Sequence, residues 1–187
     1  AATAFDDSSS NSYAGISDKT TYSFTTADET APVVSSVSPA DNATAVATNS
    51  NFVLNFSEAV DVETGNIVIY KASDDSVLES IDVTDNNQVT GTGSTQITIN
   101  PSSDLAEQTE YYVQIAATAF DDSSSNSYAG ISDTTSLSFT TADETNPSLS
   151  SSSPADNATA VATTSNIVLN FSEAVDVETG NIVIYKA

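Results

Sequence analysis

Apolar and polar residues alternate along this chain in short runs. Phe52, Leu54 and Phe56 share one face of the segment 52–56, while Val53 and Asn55 point away, the period-two pattern of a half-buried strand. Segments of this kind, rich in Val, Ile, Phe, Tyr and Thr, predict strands A at 32–37, B at 52–56, C at 66–71, D at about 77–83, E at 96–100, F at 110–120 and G at 136–141. No stretch sustains a helical period. Gly65 and Gly130 mark turns, Gly91 and Gly93 mark the D–E connection, and Pro39, Pro101 and Pro154 fall just beyond strands, where a missing N–H harms no ladder.

Seven strands with regularly spaced turns predict an all-β fold of two packed antiparallel sheets, an immunoglobulin-like sandwich. The run from Leu105 through Thr109 to Tyr111 adds a specific expectation. It has the form of a tyrosine corner, in which a hydroxyl entering strand F bonds back to nearby backbone. Tyr111, Val113 and Ile115 then face one side of that strand, and Tyr112 and Gln114 the other. Phe52, Phe56, Tyr70, Tyr111, Phe120 and Phe139 are expected in the core.

The pattern also starts over. Residues 1–72 recur as 116–187 with nine differences, so the period is 115 residues, and the chain is a tandem array of such sandwiches. The acidic linker 26–32 recurs at 141–147 and sets the expected boundaries: 1–30 as the end of strand F and strand G of a preceding repeat, 31–145 as a complete domain, and 146–187 as strands A to C of a following one. Near-identity of neighbouring units fits an array whose output is length and repetition rather than separately evolving chemistry. The sequence reads as part of a longer protein.

Composition narrows the function classes. There are 26 acidic residues against three lysines and no arginine, a formal charge of −23. Such a surface does not bind nucleic acid, which needs cations to displace counterions from phosphate, and it is not drawn to anionic membranes. No apolar run approaches the ~20 residues that cross a bilayer, so no membrane insertion is expected in this segment. Cys and His are both absent, which removes disulfides, zinc sites, thiolate nucleophiles and imidazole bases.

The stretch 39–44, Pro-Ala-Asp-Asn-Ala-Thr, followed by Leu-Asn-Phe-Ser-Glu-Ala-Val at 54–60, Gly-Asn-Ile at 65–67 and the closing Ser-Phe-Thr-Thr at 23–26, resembles the bacterial Ig-like repeats of surface-layer proteins and giant secreted adhesins. The resemblance covers the whole chain. It implies a sandwich fold and an extracellular or cell-surface role, often with calcium at domain junctions; it does not imply an enzymatic activity, and none is expected.

Carboxylates map onto one pole of such a sandwich. The linker contributes Asp28 and Glu29, the B–C loop Glu58, Asp61 and Glu63, and the F–G loop Asp121 and Asp122 with Asn126 and Asp133. The same set begins again with Asp143, Glu144, Glu173, Asp176 and Glu178. Converging carboxylates repel one another, and a hard cation with six to eight oxygen ligands relieves that repulsion; Ca²⁺ suits a flexible oxygen cage better than Mg²⁺ does. Hydrated acidic loops are the plain alternative. The run Asp121–Asn126 and its copy Asp6–Asn11 are oxygen-rich but lack the alternation, central Gly and closing Glu of an EF-hand loop, so a polar hairpin is an equal expectation. Asp61 with Glu63 has the spacing of a carboxylate pair, but no sugar-stacking Trp supports a glycosidase. Asn42 and Asn55 begin glycosylation triplets, with a structural reading preferred for both.

The expected function is a structural repeat of an extracellular bacterial fibre, filament or adhesin stalk, with calcium-reinforced junctions. Its expected partners are neighbouring repeats or identical chains, including strand exchange between incomplete sandwiches. Two alternatives stand beside it. One is adhesion to a surface glycan through the B–C and F–G loops, where repetition gives avidity. The other is a passive spacer in a secreted multidomain enzyme.

Overall fold

The computed structural model of the chain describes residues 4–186. The strands, in chain order, are β1 (Val34–Ser38), β2 (Ala43–Val46), β3 (Phe52–Val62), β4 (Asn66–Lys71), β5 (Ser76–Asp82), β6 (Val89–Thr90), β7 (Ser94–Ile99), β8 (Glu110–Ile115), β9 (Phe120–Asp121), β10 (Ser138–Thr141), β11 (Leu149–Ser153) and β12 (Val168–Phe171). No helix occurs among the described residues. The chain divides into two compact units, Ala1–Ala142 and Asp143–Ala187.

The first unit contains a β-sandwich. One sheet runs β1-β3-β7-β6 with β9 also pairing β3, and the other runs β2-β10-β8-β4-β5. All pairings are antiparallel except β10 with β2. The alternation in the sequence becomes burial: Phe52, Leu54 and Phe56 of β3, Ile67 and Ile69 of β4, and Ile97 and Ile99 of β7 are all buried in one apolar cluster. Register supports this, because Phe52 faces Ile99 and Leu54 faces Ile97 across β3 and β7, placing like apolar faces inward on adjacent strands.

The tyrosine corner is present. Tyr111 is 1% exposed, and its hydroxyl accepts the Ala106 N–H at 3.1 Å. Val113 and Ile115 are buried on the same side, while Tyr112 stacks on Tyr70 with ring centroids 4.8 Å apart and its hydroxyl donates to Asp75. Replacing Tyr111 by Phe keeps the ring packing and orphans a backbone donor. We expect a loss of about 1–2 kcal/mol, read as a lower urea midpoint at unchanged slope.

Four differences from the sequence expectation have physical causes. Strand F does not run to residue 120. It ends at Ile115, whose N–H and C=O both bond Ile131, and Ala119 N–H turns back to Ala116 C=O before the chain resumes as β9 on the other sheet. Strand B continues to Val62: after an irregularity between Asn55 and Val60 it meets β7 once more, at Ser94, and then pairs β9 through Asp61 and Val62. Strands β2 and β6 lack bulky alternation, and the sequence signals neither. The β2 strand is set by stitching to β10: Asn42 N–H donates to Ser138 C=O at 2.7 Å, and the Asp41 carboxylate accepts the Ser138 N–H at 2.9 Å.

In the second unit β11 pairs with β12 in the register that β1 and β3 use, Leu149 opposite Phe171 as Val34 is opposite Phe56. The expected third strand is absent. Residues 181–186 are identical in sequence to β4, yet they form no strand. In the first unit β4 lies between β5 and β8, and neither of those sequences recurs within 143–187.

Candidate cation-binding pole

The pole is assembled by β3, β9 and the segment that leads into β1. Asp122 follows β9 directly and opens a tight hairpin. Its carboxylate accepts the N–H groups of Ser124 and Asn126, both at 2.8 Å, and the Asn126 side-chain amide at 2.9 Å. Ser125, at φ 65°, makes the bend. The loop is therefore the polar hairpin rather than an EF-hand. Those bonds hold the Asp122 carboxyl below its ordinary range, the Asn126 side-chain bond being the largest cause. Asn126 also donates to the Asp28 C=O at 3.1 Å, tying the linker segment to the hairpin.

Glu58 stands on β3, not in a loop as the sequence reading placed it, because β3 is longer than its apolar alternation shows. The structure brings Glu58 together with Asp28 and Asp122: one carboxylate oxygen from each lies within 4.8 Å of the other two. Asp122 is buried, Glu58 partly so, and Asp28 exposed. The Glu58 carboxyl is pushed up, first by burial and then by the charges of Asp28 and Asp122. Three acidic groups thus share one small volume and repel one another.

That arrangement fits a hard divalent ion. Oxygen ligands at the 2.3–2.6 Å typical of calcium lie up to about 5 Å apart across one ion. A carboxylate has about four acceptor positions, and the three hydrogen bonds to Asp122 leave one over. The side chains would serve as ligands through Asp28, Glu58 and Asp122.

The remaining expected ligands divide. Asp61 and Asp121 are also strand residues rather than loop residues, and they sit opposite each other across β3 and β9. Glu63 is near them: its carboxyl is raised first by the charge of Asp121, then by burial, a hydrogen bond with Asp121 and the charge of Asp61. Thr92, which the sequence reading did not single out, donates to Asp61 at 3.4 Å. Glu29 is exposed and stands outside the triad. Asp133 caps the turn before β10, accepting from Thr135 and Ser136, which holds its carboxyl at about 2. Asp143, Glu144, Glu173, Asp176 and Glu178 form no group of three converging carboxylates among the described residues. The signal that would have found the triad is long-range, since residues 28, 58 and 122 meet only when the sandwich closes.

A structure of the S-layer protein rSbsC aligns with 65% of this chain and 16% of its own, at 16% identity and a TM-score of 0.40; the chain thus spans about a sixth of that protein's resolved length. No curated protein sequence matches. The profile of the bacterial Ig-like domain matches residues 28–141 and again 143–186, and with most of its length covered the chain belongs to the bacterial Ig-like domain family.

Proposed function

We propose that this chain is a structural repeat segment of an extracellular bacterial fibre or adhesin stalk, non-catalytic, with calcium stiffening the pole where one repeat joins the next. The observation that carries this reading is the Asp28, Glu58 and Asp122 cluster. It joins the linker segment to two elements of the sandwich, and Asp28, Glu58 and the acidic linker recur unchanged as Asp143, Glu173 and 141–145. Family membership supports a repeat module, and near-identity of the copies supports a role in which the joints are repeated as faithfully as the cores. An ion held by Asp28, Glu58 and Asp122 would fix the linker to the pole and remove freedom that adjacent domains otherwise have.

The test separates repulsion from ligation at Glu58. At about 1 mM calcium, and with the weak affinity common in extracellular modules, wild-type protein should gain roughly 0.4–1.4 kcal/mol over protein in chelator. Glu58→Gln removes a charge that is unfavourable in the ion-free fold. In chelator at neutral pH its melting temperature should therefore equal or exceed that of wild type, and with calcium it should fall below. The sign follows from the raised carboxyl. In chelator the penalty is absent below the ordinary value of 4.5 and grows as pH rises through the folded value. Identical melting curves with and without calcium would remove the calcium part of the reading.

A further inference from the structure

The chain crosses the first unit from one end to the other. β1 opens near the Glu58 end of β3, with Val34 opposite Phe56, and runs away from the acidic pole to Ser38 opposite Val53. It then changes sheets, and β2 continues in the same direction. Three pairings set that direction. β8 runs toward the pole, because Ala119, four residues past its end, accepts the Glu63 N–H through its C=O. β10 is antiparallel to β8, and β2 is parallel to β10. The strands part at the far end, where Ala142 N–H donates to Val46 C=O at 2.7 Å.

A pull on the linker before β1 and on the segment after β10 therefore draws β2 toward the pole and β10 away from it. Ladder bonds run across the strands, so this load falls on all of them together instead of one at a time. β1 is loaded lengthwise against β3 in the same way. Side chains reinforce both contacts. Beside β1, Val33 N–H donates to Ser57 Oγ at 3.1 Å, the Ser35 hydroxyl to Asn55 C=O at 2.8 Å, and the Asn55 amide to Ser36 Oγ at 3.0 Å. Asn55 in turn accepts from Gln96 on β7 at 2.9 Å. Beside β2, the Asp41 carboxylate accepts the N–H and the hydroxyl of Ser138 at 2.9 and 3.0 Å, and Asn42 N–H donates to Ser138 C=O at 2.7 Å.

The β1 stitches are built a second time. In the second unit Ser148 N–H donates to Ser172 Oγ at 2.9 Å, the Ser150 hydroxyl to Asn170 C=O at 2.8 Å, and the Asn170 amide to Ser151 Oγ at 2.9 Å. The polar members of the Asn55-Phe56-Ser57 triplet thus hold the neighbouring strand.

We infer that the first unit is built to carry tension. Its entering strand is split between the two sheets so that each half resists sliding, and Asp41 locks β2 to β10. The inference rests on the stalk reading for the origin of the pull, and on no bound ion.

The experiment is single-molecule pulling of the 187-residue chain in chelator, with handles on introduced cysteines, the chain having none of its own. Glu29→Cys with Asn146→Cys, both at exposed positions, pulls along the strands. Ala47→Cys, also exposed, with Asn146→Cys pulls apart the neighbouring far ends of β2 and β10 and opens the pair from one end. At equal loading rate the first geometry should unfold at about twice the force of the second or more, because its bonds are loaded together. It should release about 400 Å of chain.

Asp41→Ala should speed unfolding at constant force about tenfold in the first geometry. It should leave the second nearly unchanged, because there the pair opens from the Val46 end. Asp41→Asn keeps an oxygen for the Ser138 N–H and should recover most of the loss, with urea midpoints showing that each variant folds. Equal forces in the two geometries overturn the inference. A change of the same size in both geometries on Asp41→Ala overturns the lock, since a residue that only stabilises the fold acts alike in each. If the force contrast holds while melting curves with and without calcium coincide, the inference stands and the calcium part of the proposed function falls.

Discussion

Phe56→Ala will lower the stability of the first unit by about 3–5 kcal/mol, the range for deleting a buried aromatic ring and leaving a cavity. Phe56 is 5% exposed and lies against both Phe120 and Tyr128. The buried neighbours cannot close the gap, because Phe52, Leu54 and Ile97 are themselves fixed by strand register. Phe171→Ala is the internal control. It is the same residue in the same heptapeptide one repeat later, but it is 39% exposed. At protein concentrations too low for association, its effect on the first unit's transition should stay within about 0.5 kcal/mol. Urea titration followed by tyrosine fluorescence gives both values from midpoint and slope. Equal losses in the two variants would mean that Phe56 does not occupy the packed site described.

Gly91→Ala should be nearly as damaging, for a backbone reason. Gly91 adopts φ +105°, and a Cβ placed there would lie 2.1 Å from the Gln96 carbonyl oxygen. That oxygen belongs to β7 and cannot move without shifting the strand opposite β3. Strain at positive φ and the clash together should cost about 2–4 kcal/mol. Gly93, two residues on in the same turn, separates the two contributions. It also has positive φ, +76°, but its Cβ would meet only Asp61, at an ordinary 3.7 Å. Gly93→Ala should therefore cost about 1–2 kcal/mol, the left-handed strain alone. If both substitutions give the same midpoint, the close approach to Gln96 is not what requires glycine at 91.

Much of the sandwich was legible in the sequence because alternation and burial are the same fact seen twice. Phe52, Leu54 and Phe56 alternate, and a strand with one face inward must bury that set together. The hydroxyl of Tyr111 was equally legible, since its acceptor role depends on residues only five positions away. Where the sequence reading went astray, the deciding partner was distant. Glu58, Asp61 and Asp121 look like loop residues because charge is rare inside strands. They are strand residues because β3 outlasts its apolar pattern and takes β9 as a new neighbour beyond Val60. The short β2 has too little side-chain signal to be read at all, and exists through its bonds to Ser138 and its parallel pairing with β10.

The acidic pole shows the same division. Composition and the repeat picked out thirteen carboxylates, and no local rule could rank them. Folding selected Asp28, Glu58 and Asp122, which are 30 and 64 residues apart along the chain. The raised carboxyl of Glu58 is a product of that convergence, since burial and two distant charges cause it.

The repeat makes the boundary between the two kinds of information unusually clean. Sequence alone determined the all-β class, the alternation that sorts inward from outward residues, and the period of 115 with its copied linker. It also determined local hairpins: Asp7 and Asp122, 115 positions apart and in different surroundings, form the same turn with nearly the same distances. Tertiary structure alone decided which copies become strands. Asn-Ile-Val-Ile-Tyr-Lys is a buried strand at 66–71 and irregular at 181–186. The reason is that a turn is satisfied by bonds within a few residues, whereas a strand leaves its N–H and C=O groups to be met by neighbours. Without β5 and β8 beside it, the same hexapeptide has neither partners for its backbone nor a core for Ile182 and Ile184.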